Sequence, residues 1–478
     1  MSLTRKLALN SAVQIIGKVL STILGLIVIG LITRALGPAK FGHYTTALAF
    51  LQIFGVLVDM GLYIVLIKKI SEDEAHADQW ASTAFTLRLY TALIFLALAP
   101  LIGLLTGYPG DVKTAIAIAT LSTFAVTVNQ VLVGIFQKSM RMDKVAIAEL
   151  AGRLVLLVAT VWVAKIHPTV PWVMWTVAAG ALTNMLLSFV FSRAFVKIRL
   201  KIDEEKAKII FKEGWPIALS IAFNLVYFKA DTIILSVVRP ASEVGLYGSA
   251  YKVLEVLTTF PAMFAGLITP ILAAAYAAKD MLRFQMIIQK VFDNLLLLAM
   301  PLALGTGFVA YQVMRLVGGP EYTPAAPALT ILMVATACIF FGNLFANAVV
   351  TVNVQRKMLI GYGAVAIASL VGYLLTIPRF GMMGAAYMTL ASELAITVTA
   401  AYLVFHTAKA RLNYGRLLKN IFACIPMLVI LGLTPDLNLI WRLIIAVIGY
   451  AIGLSLMRIF PKQIMKEIFS RTPYANRN

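Results

Sequence analysis

Apolar stretches of about 20 residues follow one another along almost the whole chain, separated by short polar breaks that are often marked by glycine or proline. A helix of that length crosses the roughly 30 Å of hydrocarbon in a bilayer. Only helices satisfy the backbone at such density, so the pattern predicts an all-α integral membrane protein with about 14 transmembrane helices. The predicted segments are residues 10–32, 41–67, 80–105, 113–136, 145–166, 172–195, 215–238, 244–278, 284–310, 324–352, 359–377, 383–405, 417–433 and 439–457.

The longest polar segment divides the chain into two halves. We predict an N-terminal lobe of six helices in residues 1–196, a cytoplasmic linker at 197–212 and a C-terminal lobe of six helices in 213–406. Residues 407–478 are predicted to hold two added helices and a cytoplasmic tail. These last two helices carry no charge in their interiors, so we expect them to face lipid.

A short motif recurs half a chain away. The sequence LGPAKFGHY at 36–44 has a counterpart in RPASEVGLY at 239–247, and each precedes a long apolar segment. The alignment pairs Gly42 with Gly245, Tyr44 with Tyr247, and Gln52 with Glu255. Such a repeat predicts an internal duplication, which in membrane proteins is typical of transporters with a site between the halves. A chance likeness of two turns is the alternative. The candidate structural residues are Gly37, Pro38, Gly42, Tyr44, Gly245 and Tyr247.

Composition supports the membrane assignment. The 478 residues are 61% hydrophobic and 13% charged, with a mean hydropathy of +0.90, whereas soluble domains carry about 25% charge. A net charge of +20 would suggest nucleic acid in a soluble protein. Here the basic residues concentrate in alternate loops, which places both termini in the cytoplasm and predicts no nucleic-acid partner. Two cysteines inside apolar segments and four scattered histidines predict packing roles, with neither a disulfide nor a metal site.

Polar side chains recur at helical spacing within six of the predicted helices. A charged side chain within the membrane is energetically costly, so such residues usually have a function and face a cavity. The aligned stripes therefore predict a hydrated central cavity. Hydrogen bonding between helices is the alternative. Glu149 and Arg153, four residues apart, have a spacing typical of an in-helix ion pair. The stripes are Asn10, Gln14 and Lys18; Thr45, Gln52 and Asp59; Ser220, Asn224, Tyr227 and Asp231; Gly248, Lys252, Glu255 and Thr259; Asn343, Asn347 and Thr351; and Thr389, Glu393 and Thr397.

Together these features resemble the multidrug/oligosaccharidyl-lipid/polysaccharide (MOP) exporter superfamily, and within it the polysaccharide flippases of the Wzx type. The residues that carry the resemblance are those of the repeated motif, Asp59 with Gly61-Leu62, Asp231, and Gly381 with Gly384-Ala385-Ala386 before Glu393. The resemblance covers essentially the whole chain. It implies two six-helix lobes around a central cavity, two added C-terminal helices and alternating access. It also implies a substrate of sugars on an isoprenoid pyrophosphate carrier, moved from the inner to the outer leaflet for surface polysaccharide assembly.

Candidate roles follow from charge. A cation in a partly dehydrated cavity attracts phosphate strongly, and a carboxyl in a low-dielectric wall can load and release a proton. The mixed charges leave the sign of the cavity potential open. The candidate substrate-binding residues are Lys18, Arg88, Lys252, Gln14, Gln52, Asn224 and Asn347. The candidate residues for proton or sodium coupling are Asp59, Asp231, Glu255 and Glu393. We predict no resident cofactor.

Two rival functions stay open at this point. The acidic residues also fit a cation-coupled drug or metabolite antiporter of the same superfamily. An integral membrane enzyme such as a glycosyltransferase would need a metal cluster, a phosphate-binding glycine loop or a large catalytic loop, none of which the sequence contains, so no enzyme is predicted. The predicted partners in the cell membrane are lipid-linked oligosaccharide, membrane lipids, a polysaccharide polymerase and glycosyltransferases.

Overall fold

A computed structural model describes the backbone of residues 3–459 and the side chains of residues 16–73, 75–259, 261 and 268–459. The described part of the chain is helical and contains no β-strand. The α-helices are α1 (Leu3–Asp59), α2 (Leu62–Glu72), α3 (Ala77–Leu105), α4 (Gly110–Lys138), α5 (Met142–Ile166), α6 (Val170–Ser192), α7 (Glu204–Val238), α8 (Ala241–Ala277), α9 (Met281–Gly318), α10 (Ala326–Thr351), α11 (Gln355–Ala408), α12 (Gly415–Ala423), α13 (Ile425–Leu433) and α14 (Leu439–Leu456). Short 3-10 helices cover Glu74–His76 and Pro320–Ala325.

Two of the long helices are broken by a glycine with positive φ. Gly37 in α1 has φ 67° and Gly381 in α11 has φ 55°, a backbone conformation that glycine adopts without steric cost. Pro38 follows the first break and Pro378 precedes the second. Each break separates two of the predicted apolar segments, as the Gly-Pro signal at 37–38 indicates for the first.

Among the described residues, eleven helical stretches are long and apolar enough to cross a membrane. Two of them, Ile16–Glu72 and Gln355–Ala408, each cover two predicted segments because of the glycine breaks. The eleven stretches therefore cover thirteen of the predicted segments, and α8 corresponds to the fourteenth. The prediction of an all-α membrane protein is confirmed, whereas the division into two six-helix lobes stays a prediction.

Helix α7 begins inside the segment predicted as a linker. Its N-cap is Asp203, whose side chain accepts a hydrogen bond from the backbone N–H of Lys206 at 3.1 Å, and Glu204 and Glu205 occupy the first turn. Carboxylates at these positions satisfy free N–H groups and oppose the helix dipole. The non-helical part of the predicted linker is therefore limited to residues 197–203, which we call the strap.

The chain forms two compact units. Unit 1 comprises the described parts of Met1–Lys252, Met314–Ala325 and Tyr362–Ser392. One hydrophobic core of this unit contains residues of α2, α3, α4 and α7 together with Val196. Leu66, Phe136 and Ile210 are each at most 1% exposed, and Val196 is 6% exposed. The apolar residue just before the strap is thus anchored in the core, which fixes where the strap runs.

Unit 2 comprises the described parts of Val253–Val313, Ala326–Gly361 and Glu393–Asn478. Its core includes Cys424, which packs against residues of α9, α13 and α14 as the sequence predicted. The expectation that the last two helices carry no interior charge is wrong. Arg442 in α14 is buried, and its guanidinium donates to the Gln312 side chain and to the Leu431 carbonyl, both at 2.6 Å. These two acceptors offset the cost of burying its charge.

Candidate functional site

The two copies of the repeated motif meet in unit 1. A β-carbon at Gly42 would overlap the carbonyl of Ala241, and one at Gly245 would overlap the carbonyl of Pro38. Both glycines therefore allow the backbones of α1 and α8 to touch, as small residues do at tight helix crossings in membranes. The residues that the sequence aligned with each other are thus direct neighbours in space.

Two residues after Gly245, Tyr247 contacts a carboxylate of α7 that is enclosed by hydroxyl groups. The Tyr247 hydroxyl donates to Asp231 Oδ2 at 2.5 Å, and Thr389 of α11 lies 3.3 Å from the same oxygen. The backbone N–H and the hydroxyl of Thr232 donate to Asp231 Oδ1 at 2.5 and 3.1 Å. Asp231 and Tyr247 are completely buried. Tyr247, predicted as structural, therefore contacts the predicted coupling residue. These donors hold the carboxylate in a fixed position, and a carboxylate is a group that can take up a proton or bind a small cation.

An ion pair with a buried guanidinium joins α1 and α3. The guanidinium Nη2 of Arg88 donates to Asp59 Oδ1. The Arg88 side chain is 0% exposed and that of Asp59 is 17% exposed. Within the described residues, Nε and Nη1 of Arg88 are buried without a hydrogen-bond partner. The structure thus brings together one predicted substrate-binding residue and one predicted coupling residue, and leaves two donor atoms of the arginine unused.

Lys18 lies in a separate polar cluster between α1 and α5. Its Nζ lies 3.2 Å from Glu149 Oε1, which also accepts from Ser21 at 2.7 Å. Arg153 in turn donates to Ser21 Oγ at 3.3 Å. The spacing of Glu149 and Arg153 predicts an ion pair between them within α5, whereas in the structure both side chains contact residues of α1.

Sequence reasoning missed an ionic contact between α2 and α7. Glu213 accepts from Lys69 Nζ at 2.7 Å and from Lys68 Nζ at 2.9 Å. Beside it, a β-carbon at Gly61 would lie 2.6 Å from the Gly214 carbonyl, and one at Gly214 would lie 2.5 Å from the Met60 carbonyl. We call Gly61, Lys68, Lys69, Glu213 and Gly214 the α2–α7 latch. The sequence offered one signal for this contact, Gly61, which is among the residues quoted for the resemblance.

The other predicted site residues are distributed over both units. In unit 1, Gln52 is half-buried, Lys252 lies on α8, and Asn224 is exposed and donates to the Tyr227 hydroxyl at 2.5 Å. The side chain of Gln14 lies outside the described residues.

Three predicted site residues belong to unit 2. Glu255 follows on α8, and its backbone carbonyl accepts from Thr258 and Thr259. Asn347 accepts from Thr269 at 2.8 Å. Glu393 is 5% exposed. The roles assigned to the residues of both units stay predictions.

Solved structures show which proteins share this fold. A structure of the lipid II flippase MurJ in an inward closed conformation has a TM-score of 0.73, with 16% identity, and covers 93% of this chain and 98% of that chain. An inward-facing multidrug resistance MATE family transporter of the MOP superfamily has a TM-score of 0.63, with 17% identity, and covers 84% of this chain and 97% of that chain. The fold is therefore that of the MOP exporters.

The chain belongs to the polysaccharide biosynthesis protein family, whose model matches residues 31–327. The probable low-salt glycan biosynthesis flippase Agl15 of Haloferax volcanii is 21% identical over 387 residues, 80% of each chain. The uncharacterized membrane protein MJ1068 of Methanocaldococcus jannaschii is 23% identical over 291 residues, 58% of this chain and 56% of that protein. Family and fold together confirm the resemblance to polysaccharide flippases of the MOP superfamily that was drawn from the sequence.

Proposed function

We propose that this protein is a flippase for oligosaccharide linked to an isoprenoid pyrophosphate. It moves this lipid from the inner to the outer leaflet of the cell membrane by alternating access, for assembly of surface polysaccharide, and it catalyses no covalent chemistry. Its termini lie in the cytoplasm. The family, and the names of the glycan flippase and the lipid II flippase among the similar proteins, support this substrate class.

The observation that carries the proposal is the buried guanidinium of Arg88. Asp59 is the acceptor for one of its nitrogens, and two more nitrogens are buried without an acceptor among the described residues. Each buried donor left unsatisfied costs about 1–3 kcal/mol. A pyrophosphate supplies several charged oxygens that match the planar donor pattern of arginine. Phosphate can reach Arg88 only in a state where the surrounding helices open, and alternating access supplies such a state.

A second candidate function is cation-coupled antiport of a drug or metabolite. The buried carboxylates of Asp231 and Glu393 favour it, since an acidic site binds cations and cationic substrates. The same carboxylates are also consistent with a flippase driven by protons or sodium, so the two functions are distinguished by which substrate is transported. Loss of the protein should leave lipid-linked glycan on the inner leaflet and stop surface glycan assembly. Unchanged surface glycan with reduced drug efflux would replace the flippase with the antiporter.

A double-mutant comparison tests the role of Arg88 directly. Purified protein in proteoliposomes would be assayed for translocation of an isoprenoid-pyrophosphate-linked oligosaccharide, as wild type, Arg88→Gln, Asp59→Asn and the double variant. If Arg88 binds pyrophosphate, Arg88→Gln and the double variant are both inactive. If Arg88 only neutralises Asp59, the double variant recovers transport because no buried charge is left unpaired. Recovery in the double variant would remove the assignment.

A matched control keeps folding defects apart from transport defects. Arg34→Gln also removes one arginine, but Arg34 is exposed and donates to the Leu316 carbonyl. This variant should translocate the substrate at the wild-type rate. Each variant is scored only where it elutes as a single species in detergent at the wild-type volume.

A further inference from the structure

We infer that unit 1 carries a binding site for a phosphate group beneath the strap, separate from the buried residues discussed above. The site is a cavity of about 360 Å³ between the strap and the first turns of α3, a volume within the usual range for small-ligand pockets. Its charged and hydroxyl lining consists of Asp78, Ser82, Thr83, Lys197, Arg199, Lys201 and Asp203. This inference does not depend on the proposed transport function.

The strap is fixed to α3 through its backbone. The N–H of Lys197 donates to Asp78 Oδ1 at 3.1 Å, the N–H of Arg199 donates to Ser82 Oγ at 3.0 Å, and the N–H of Asp203 donates to Thr83 Oγ1 at 3.2 Å. Because polar side chains of α3 satisfy the strap's backbone, the strap has a defined path without being a helix. Its side chains consequently start from fixed positions around the cavity.

The strap alternates apolar and basic residues. Val196 and Ile198 pack into or against the core of unit 1, whereas Lys197, Arg199 and Lys201 are exposed and line the cavity. The chain turns at Leu200, where the Lys201 N–H donates to the Arg199 carbonyl at 2.9 Å, and all three basic side chains line the same cavity. Within the described residues, no ion pair is made by these three side chains.

The two carboxylates in the cavity wall have other partners. Asp203 binds the backbone N–H and the ammonium of Lys206, at 3.1 and 3.0 Å, and caps α7. Asp78 accepts the Lys197 N–H. The cavity is thus lined by three basic side chains and by two carboxylates that already accept hydrogen bonds from the protein. This lining is complementary to an anion that accepts several charge-assisted hydrogen bonds, and phosphate is the common biological anion of that kind.

The exposure of Leu200 indicates which kind of molecule carries the phosphate group. This residue is 71% exposed although it is apolar, and it stands between Arg199 and Lys201. A leucine flanked by two cations fits a lipid, with the headgroup phosphate on the cations and the chain region on the leucine. Soluble pyrophosphate shares the phosphate chemistry but offers nothing to the leucine. The experiment therefore contains an arm for each source.

The test measures ligand-induced thermal stabilisation of the full-length protein purified in an uncharged detergent. The ligands are phosphatidylglycerol, phosphatidylcholine and inorganic pyrophosphate, each titrated at low ionic strength because salt screens exposed charges. The variants are Arg199→Gln/Lys201→Gln and the control Lys208→Gln/Lys212→Gln, which removes two exposed charges of α7 outside the cavity.

We expect phosphatidylglycerol to stabilise the wild type and the control, and the strap variant to bind it roughly thirtyfold more weakly, since both removed cations attract an anionic headgroup. Stabilisation by pyrophosphate alone, lost in the same variant, identifies a site for soluble phosphate. The variant Arg199→Lys/Lys201→Arg keeps both charges and should bind like the wild type; an equal loss in this variant would overturn the inference, because both cations are still present. Equal responses of the wild type and a correctly folded strap variant to both phosphate ligands would overturn the inference.

Discussion

Gly42 and Gly245 occupy the same position in the repeated motif and pack directly against each other in unit 1. A β-carbon on either residue would overlap a backbone carbonyl of the other helix. Backbone atoms cannot turn aside as a flexible side chain can, so only glycine fits at this crossing. The duplication inferred from sequence thus coincides with a physical contact between its two copies.

The first prediction concerns this crossing. Gly42→Ala and Gly245→Ala should each destabilise the protein by about 1–3 kcal/mol, as overpacking does elsewhere, because the helices must separate to admit the methyl group. The control is Gly55→Ala in the same α1, where the nearest side-chain atom lies 3.9 Å from the new β-carbon. That variant should be as stable as the wild type or more so. A Tm in detergent that falls equally for Gly55→Ala and Gly42→Ala would contradict the argument.

The second prediction concerns the α2–α7 latch. Neutralising Glu213 removes the shared partner of Lys68 and Lys69, so Glu213→Gln should loosen the contact at this end of α7. The pairs are partly exposed, and each such pair contributes only about 0–1 kcal/mol to stability. That is enough to shift an equilibrium between access states several-fold. The measurement is the rate at which a polar thiol reagent labels Ser220→Cys on α7, in a background with Cys338 and Cys424 replaced.

We expect several-fold faster labelling of Ser220→Cys when Glu213→Gln is added. Glu205→Gln, at an exposed position of the same helix, serves as the control and should leave the rate unchanged. The swapped variant Lys69→Glu/Glu213→Lys should bring the rate back toward wild type, since the attraction is restored with opposite polarity. Equal labelling in all four proteins would show that the latch does not bias the access states.

The third prediction is a pH dependence at the start of α7. The backbone N–H of Lys206, followed by its ammonium, lowers the pKa of Asp203 from its ordinary value of 3.8. A carboxyl whose pKa is lower in the folded protein stabilises the fold above its ordinary pKa, and this contribution is lost as the pH falls through the folded value. Capping by Asp203 should therefore be constant between pH 7 and 5 and weaken only below about pH 4.

Hydrogen exchange of the first turn of α7, corrected for the intrinsic pH dependence of exchange, measures this effect. Asp203→Asn should show the same protection at every pH, because asparagine caps a helix without titrating. The loop at Asp73 is an internal reference. Hydrogen bonds from Trp80 and then His76 lower the pKa of Asp73 in the same way, so this region should lose protection in acid in both proteins. An acid-dependent loss at α7 that persists in Asp203→Asn would exclude Asp203 as the cause.

Helix positions were predictable because hydrocarbon thickness fixes the length of each apolar segment. The break at Gly37 was predictable because Gly-Pro disrupts a helix by local sterics. The partners of charged residues were not, since spacing reports only neighbours on the same helix. Asp59 and Arg88 lie in different predicted helices, so no helical spacing relates them, yet they form an ion pair with each other. Arg442 donates to Gln312 of α9, 130 residues away in the sequence, and spacing along its own helix cannot indicate such a partner.

The fourth prediction concerns topology. Basic residues concentrate in alternate loops of a chain with an even number of predicted spans, so both termini should lie in the cytoplasm. A reporter enzyme that is active only outside the cytoplasm should be silent when fused at the C-terminus, and active when inserted at Gly107 between α3 and α4. Activity of the C-terminal fusion would reject the even number of spans.

The fifth prediction assigns ion coupling to Asp231. Its carboxylate is buried and receives hydrogen bonds from Tyr247 and Thr232. Asp231→Asn keeps the size of the side chain and an acceptor oxygen, but it removes the charge and the titration. If Asp231 loads a proton or sodium ion, transport should fall, and the residual rate should no longer depend on pH or sodium, because a ligand shifts the access equilibrium only by binding one state better.

The alternative for Asp231 is a structural hydrogen-bond acceptor, and the same variants distinguish it. Asparagine still accepts from the Tyr247 hydroxyl, so a structural role predicts full, ion-dependent transport in Asp231→Asn. Tyr247→Phe removes that donor while Asp231 keeps its charge, and under coupling it should shift the pH or sodium dependence of transport without abolishing it. Asp111→Asn, at an exposed carboxylate in the first turn of α4, controls for the loss of one negative charge and should transport like the wild type. Ion-dependent transport at the wild-type rate in Asp231→Asn would reject the coupling role.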